Sequence, residues 1–481
     1  MLTDAPGNRG MKIKITLFIL VCGLFIAGVH ACRSSDALPP ETIAYPPLHF
    51  NVPQAYRTVL QNGMVLYILE DHELPLVSMT AVLHAGSMYD PAGREGLAEI
   101  TGTVMRTGGT TTIAAGEIDL QLDRLAASLD ISMGRDTGTV NLSVLAKDFD
   151  DAVRLFSDIL KNPAFEGEKL DLAKNISIEA IRRIPDDPQK LAFREFTKLL
   201  YGTNPRGRYA TPASVGSITR DDVADYHRRF FFPANIMIAV SGDVSREAVL
   251  GTFRNYLEPW RAPGSVDSIP LRDDRGKQSV NYIFKDIPQS IIISGWVVPG
   301  KIHNDYYAFS VLDFIVGSGG LHSRLTGEIR NNLGLAYSAG SYYSPKTDFG
   351  VFAAYAMTKS SATANVYRAM NSILHDMQVT TVNDKELAQA RNALVNSFIF
   401  SFSTTHQMVL QQMMVEFEKL PADFLTAYGN EIDRVTSTDV RRTAGQFLPD
   451  VKNVVLIVGN EAHFAKPLSE WGGVNTIEIQ Q

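Results

Sequence analysis

The sequence predicts a duplicated α+β chain: two homologous halves, each a sheet with helices packed on it. Three observations predict this. The chain has 481 residues, more than one hydrophobic core usually serves, so two domains are expected. The segment "RAPGSVDSIPLRDDRGKQ" (261–278) is rich in Pro, Gly, Ser and charge, lacks apolar periodicity, and reads as a linker. Across it the sequence repeats. "ITRDDVADYHRRFFFPANIMIAVSGDV" (218–244) aligns without a gap to "VTSTDVRRTAGQFLPDVKNVVLIVGNE" (435–461), so that Ile218 falls on Val435. The same offset pairs "LAKNISIE" (172–179) with "QARNALVN" (389–396), and chance seldom gives two matches at one offset. The expected division is a signal peptide over 1–31, a short linker over 32–45, a first domain over 46–260, the linker 261–278, and a second domain over 279–481.

The elements follow in chain order. Met11-Lys12-Ile13-Lys14 is a short basic stretch, and "ITLFILVCGLFIAGV" is an apolar run too short for a membrane span. That pattern is an export signal. Cys32 follows "GVHA". Two readings stay open: a lipid-carrying N-terminal cysteine of a bacterial lipoprotein, or ordinary cleavage after Ala31 leaving a free thiol. The lipid reading is preferred, because a lone exposed thiol is a liability in an oxidising compartment. Cys22 lies inside the apolar run, so the mature chain has no internal disulfide.

Strands are predicted at "MVLYILED" (64–71), "LVSMTAVLHAG" (76–86) and "ANIMIAVSG" (234–242), with a hairpin in "LDISMGRDTGTVNLSVLA" (129–146). "DFDDAVRLFSDILKNP" carries Val153, Phe156, Ile159 and Leu160 at helical spacing. Thr219 and Thr436 are expected N-caps, with Asp222 and Asp439 in the first turns. Strands with helices to one side predict a sheet covered on one face. Apolar residues make up 45% and charged residues 20%, which is globular. The net charge of −7 without a basic tract excludes a nucleic-acid-binding chain.

"NGMVLYILED", "GLAEITGTVMRTGGT", "RIPDDP", "PANIMIAVSGDV" and "SRLTGEIRNNLGLAYS", in this order and over nearly all of 46–470, carry a resemblance. The chain resembles the pitrilysin or insulinase family of zinc peptidases, especially its bacterial and mitochondrial-processing-peptidase branch. In that family the helix after the Gly-Leu-Ala opening carries His-x-x-Glu-His. Two His at i and i+4 share a zinc from one helix face, and the Glu serves as base for water. The five corresponding residues here are Glu99-Ile100-Thr101-Gly102-Thr103, so both ligands and the base are missing. The family's third ligand, a Glu, falls at Ala180. Glu179 is one residue early and points about 100° away. The remaining histidines show no i, i+4 pair. The resemblance therefore implies no zinc in this chain.

The second half differs. In the family an Arg and a Tyr seven residues apart face the zinc from the opposite half, and here they fall on Arg330 and Tyr337. A phenol suits an oxyanion, and a guanidinium suits substrate carbonyl or carboxylate groups. The plain alternative is an Arg complementing a helix dipole and a Tyr packing at a strand start. In two-chain family members one subunit carries zinc and the other the Arg and Tyr, and the pair closes as a clamshell. This chain resembles the zinc-less subunit, forming half of such a clamshell. That implies a zinc-bearing insulinase-like partner, a peptide substrate, no cofactor of its own, and a place in the bacterial cell envelope. Other readings are a structural scaffold or a stand-alone peptide-binding protein with no catalytic role.

Overall fold

A computed structural model describes residues 52–270, 279–449 and 453–479. The export signal and Cys32 lie outside the described residues. From Val52 onward the chain forms one compact unit.

Strands β1 (Tyr56–Val59), β2 (Val65–Glu70), β3 (Leu76–Leu83), β4 (Ser128–Met133), β5 (Gly138–Leu145) and β6 (Ile236–Gly242) form the first sheet, in the order β1-β2-β6-β3-β5-β4. Strands β7 (Ser279–Phe284), β8 (Gln289–Pro299), β9 (Ala336–Pro345), β10 (Phe349–Lys359), β11 (Val454–Gly459) and β12 (Val474–Thr476) form the second, in the order β12-β7-β11-β8-β10-β9. Five consecutive strands therefore repeat, β2-β6-β3-β5-β4 against β7-β11-β8-β10-β9. Only the outermost strand differs: β1 runs antiparallel to β2, and β12 runs parallel to β7.

The sequence offset that sets Ile218 on Val435 holds in three dimensions. Helix Gly167–Arg182 corresponds residue for residue to helix Asp384–Ile399, and helix Arg220–Phe230 to helix Ser437–Phe447. Both members of the second pair open with the same device. The Thr219 hydroxyl accepts from the Asp222 amide while the Asp222 carboxylate accepts from the Thr219 amide. Thr436 and Asp439 do likewise. Val153, Phe156, Ile159 and Leu160 are all fully buried in the core of the first half.

The expectation of a sheet covered on one face is corrected. Each sheet packs its own half's helices on one face and receives a helix from the other half on the second. Helix Pro188–Tyr201, of the first half, places Leu191, Phe196 and Leu200 against Ile291, Ile293, Leu456 and Val458 of the second sheet. Helix Thr405–Phe417, of the second half, places Val409, Met413 and Phe417 against Tyr67, Val82, Met237 and Ala239 of the first. These two helices are themselves a repeated pair, Pro188 falling on Thr405 at the same offset. The exchange explains why β6 and β11 are buried at nearly every position and read as continuous apolar runs.

Each lent helix starts on a local cap. Asp187 accepts from the amides of Gln189 and Lys190, with Pro188 at the first helical position. Thr404 accepts from the Gln407 amide. The first helix lies so close to β8 that a Cβ on Gly295 would stand 2.3 Å from Phe196 Cζ.

Candidate functional site

Glu99, Gly102 and Thr103 lie on helix Leu97–Thr107, which packs against β4 and beside helix Gly167–Arg182, the carrier of Ala180. The helix begins at Gly96, which has no side chain to cap it. Asp90, six residues upstream, supplies the cap: its two oxygens accept from the amides of Gly96 and Ala98 at 2.8 and 2.9 Å. Burial pushes this carboxyl up to about 7, against the pull of both amides.

The four family positions offer little to a metal. Glu99 is exposed, a single carboxylate. The Thr103 hydroxyl donates to the Glu99 carbonyl at 3.0 Å and is spent on its own helix. Ala180 is exposed and has no donor atom. Glu179 pairs with Arg182 at 2.6 Å instead of pointing to Ala180's place. Gly102 is buried against the edge strand: a Cβ there would lie 2.7 Å from Met133 Cγ and 3.3 Å from Ile131 Cγ2. Met133 thus packs against the position from which the family's base would project. Among the described residues no group of three His, Cys, Asp or Glu side chains is placed to hold a metal ion. The residues present do not fit zinc, which wants about three strong ligands.

The other half is built differently. Arg330 sits in a π-helical turn, Thr326–Asn332, and Tyr337 is the second residue of β9. The turn is pinned on two sides. The Thr326 hydroxyl donates to the Ala339 carbonyl at 2.7 Å, fixing turn to strand. Arg324 forks onto both oxygens of Glu386 at 2.9 Å, fixing the segment to helix Asp384–Ile399. Burial alone would raise Glu386, but the Arg324 fork and charge outweigh it and hold the carboxyl below its usual range. Deeper in, Ser341 of β9 donates to the buried Asp313 at 2.6 Å. Burial pushes Asp313 up to about 6, opposed by the hydroxyls of Ser341 and Ser318. π-helical turns are rare and collect at functional sites.

On this base the two predicted side chains are exposed. Arg330 is exposed and has no hydrogen-bond or ion-pair partner among the described residues. Tyr337 is 57% exposed, and its hydroxyl meets only the sulfur of Met357, at 3.3 Å, a weak acceptor. The structure therefore groups Glu99, Gly102 and Thr103 on one helix with Ala180 on its neighbour. It sets Arg330 and Tyr337 on a turn and strand of the other half. Sequence reasoning missed the supports, Asp90, Asp313 and Arg324–Glu386. Only Asp313 left a signal, as a lone acid within the apolar run "FSVLDFIVG".

Comparison with known proteins identifies the family. Residues 66–211 match the family described as Insulinase (Peptidase family M16), and residues 217–394 match the Peptidase M16 inactive domain. An uncharacterized zinc protease of Rickettsia felis is 23% identical over 413 residues, covering 84% of this chain and 97% of that protein. One of Mycobacterium leprae is 26% identical over 400 residues, covering 82% and 89%. Among solved structures, a peptidase M16 inactive domain from Pseudomonas fluorescens superposes with a TM-score of 0.77 at 23% identity, covering 84% of this chain and 98% of that one. A protease from Helicobacter pylori gives 0.76 at 18%, covering 85% and 100%. The two family matches together span more than half of the 481 residues, and the solved structures share the fold of both halves: the chain belongs to the insulinase, or peptidase M16, family.

Proposed function

We propose that this chain is the zinc-free subunit of a two-chain peptidase, supplying Arg330 and Tyr337 to the active site of a zinc-bearing partner. One observation carries the reading: the two sites have diverged in opposite directions. The family's three zinc-ligand positions are filled by Glu99, Thr103 and Ala180 and its base position by Gly102, against which Met133 packs. Arg330 is exposed with no partner among the described residues, and Tyr337 is exposed with its hydroxyl on the Met357 sulfur, a weak acceptor; the turn beneath them is held by the Thr326–Ala339 and Arg324–Glu386 bonds. A surface pair with only a structural role would be expected to find partners within its own chain.

The chemistry follows from the groups. Peptide hydrolysis builds negative charge on the former carbonyl oxygen. The Tyr337 hydroxyl, engaged only by a thioether, is available to donate to that oxygen. The Arg330 guanidinium is available to a backbone carbonyl or carboxylate of the peptide. Metal chemistry would belong wholly to the partner. The chain would work in the bacterial cell envelope, held to the membrane through lipid on Cys32.

The test is reconstitution. The chain is co-expressed with a zinc-bearing relative from the same source, and complex formation and peptide turnover are measured. Each chain alone is expected to be inactive, and the complex active. One-to-one zinc in this chain alone, with activity lost on Glu99→Ala, would overturn the reading. A complex whose turnover ignores substitution of both Arg330 and Tyr337 would make this subunit a scaffold.

A further inference from the structure

The two lent helices are equivalent in position but not in chemistry. Helix Pro188–Tyr201 contains no histidine and meets its sheet through Leu191, Phe196 and Leu200. Helix Thr405–Phe417 meets its sheet through apolar residues and two imidazoles, one near each end. At its start, His406 is wedged between two buried hydroxyls, Thr80 of β3 at 2.9 Å from Nε2 and Ser241 of β6 at 3.0 Å from Nδ1. The Thr80 hydroxyl donates to Asn141 of β5, so it accepts from Nε2–H, and Ser241 donates to Nδ1. The neutral ring fits this slot with every bond made. At the far end the His84 ring stacks on Phe417, centroids 4.0 Å apart.

We propose that helix Thr405–Phe417 is an acid-released clasp: protonation of His406 and His84 frees it from the first sheet and uncovers that sheet's outer face. Neither ring has an ion-pair partner among the described residues. On the sheet side His406 faces Thr80, Ser241 and Asn141, all neutral. Asp71 accepts from the Thr405 hydroxyl and Asp243 pairs with His72. A second N–H on His406 would face the Ser241 oxygen with no anion behind it. His84 has Asn235 bonded to its backbone and the charge of Lys419 nearby, while Glu418 is tied to Lys301. Burial lowers both imidazoles, and Lys419 lowers His84 further.

The sign follows. A histidine whose pKa is depressed in the folded state contributes its full share of stability above its free value of about 6.5. It loses that share as pH falls below it, up to about tenfold in the release constant per pH unit and per ring. Glu416, held below its usual range by Arg57, stays charged in this window. Glu416 therefore does not supply the acid step at this helix.

Hydrogen exchange of the full chain at pH 7.5 and 5.5, corrected for the intrinsic rate, tests this. Exchange in Thr405–Phe417, β2 and β6 is expected to rise about ten- to a hundredfold. Helix Pro188–Tyr201 serves as the internal control and stays protected. The variant His406→Gln/His84→Phe keeps hydrogen bonding and stacking without the charge and should abolish the rise. An unchanged wild type, an equal rise in helix Pro188–Tyr201, or an undiminished rise in the double variant would overturn the clasp. Should the double variant not fold, His406→Gln alone must roughly halve the rise on a logarithmic scale, and an undiminished rise there overturns it equally.

Discussion

Arg57 and Glu416 stand 359 residues apart in the chain and meet in a two-pronged ion pair, both contacts at 2.6 Å. The pair ties the outermost strand of the first sheet to the end of a helix that belongs to the second half. Tyr67 donates to the same carboxylate, and burial with that bond pushes its phenol up to about 12.

Glu416→Gln is expected to cost only about 0.5–1 kcal/mol at pH 7, because both side chains remain more than a third exposed and solvent screens them. The sign with pH is fixed. Glu416 is held below its usual range by Arg57, so its contribution is present above about pH 4.5 and lost as pH falls through the lowered value. Urea midpoints of wild type and variant should differ at pH 7 and converge once the pH falls below the lowered value of Glu416.

Gly295 and Phe196 make the second test. Gly295→Ala should destabilise by about 1–3 kcal/mol, since the new methyl would stand 2.3 Å from the ring and 2.8 Å from the Phe352 carbonyl. Phe196→Ala should cost about 3–5 kcal/mol. The double variant should be more stable than the sum of the two losses predicts, because removing the ring makes room for the methyl. Strict additivity in thermal unfolding would show that the ring is not what the methyl meets.

Restoring the family's ligands with Glu99→His, Gly102→Glu, Thr103→His and Ala180→Glu should regain some zinc affinity and little hydrolysis. The new Glu must displace Met133, and new ligands bind tightly only where surrounding groups orient them. Calorimetric zinc titration measures the first effect and a peptide assay the second. Full peptidase activity would show that four residues were the whole difference.

In the reconstituted pair, Tyr337→Phe should lower turnover by about a hundred- to a thousandfold with assembly intact, the usual effect of one lost oxyanion donor. Arg330→Ala should raise the Michaelis constant as well, since a guanidinium also contacts the bound ground state. Neither should shift the melting temperature appreciably, because both side chains are exposed.

Cys32→Ser should move the protein from the membrane to the soluble fraction on cell fractionation. Wild type found soluble with an unmodified N-terminus would contradict the lipid.

What could be read in the sequence was local or repeated. The Thr219–Asp222 and Thr436–Asp439 boxes are written within four residues, and Asp187-Pro188 announces a helix start by itself. The constant offset between the halves carried the duplication. What could not be read was long-range. "THQMVLQQMMVEF" gives the same helical pattern whichever sheet it covers, so its crossing to the other half left no trace. β1 is four residues long, too short for an alternation to stand out. The π-helical turn around Arg330 has no sequence signature, and the cap from Asp90 arrives from six residues away. The candidate residues were legible through family resemblance; the exposure of Arg330 and Tyr337 was visible only once their surroundings were known.

The lent helices also set the order in which this protein can be completed on the ribosome. The first sheet is finished in sequence at Gly242, but the helix that covers its second face ends at Phe417. At roughly 5–20 residues per second that face waits about ten to thirty seconds for its cover. Met237 and Val82 lack that cover throughout the interval. The second sheet has no such delay, because its covering helix, Pro188–Tyr201, is already made when β7 emerges.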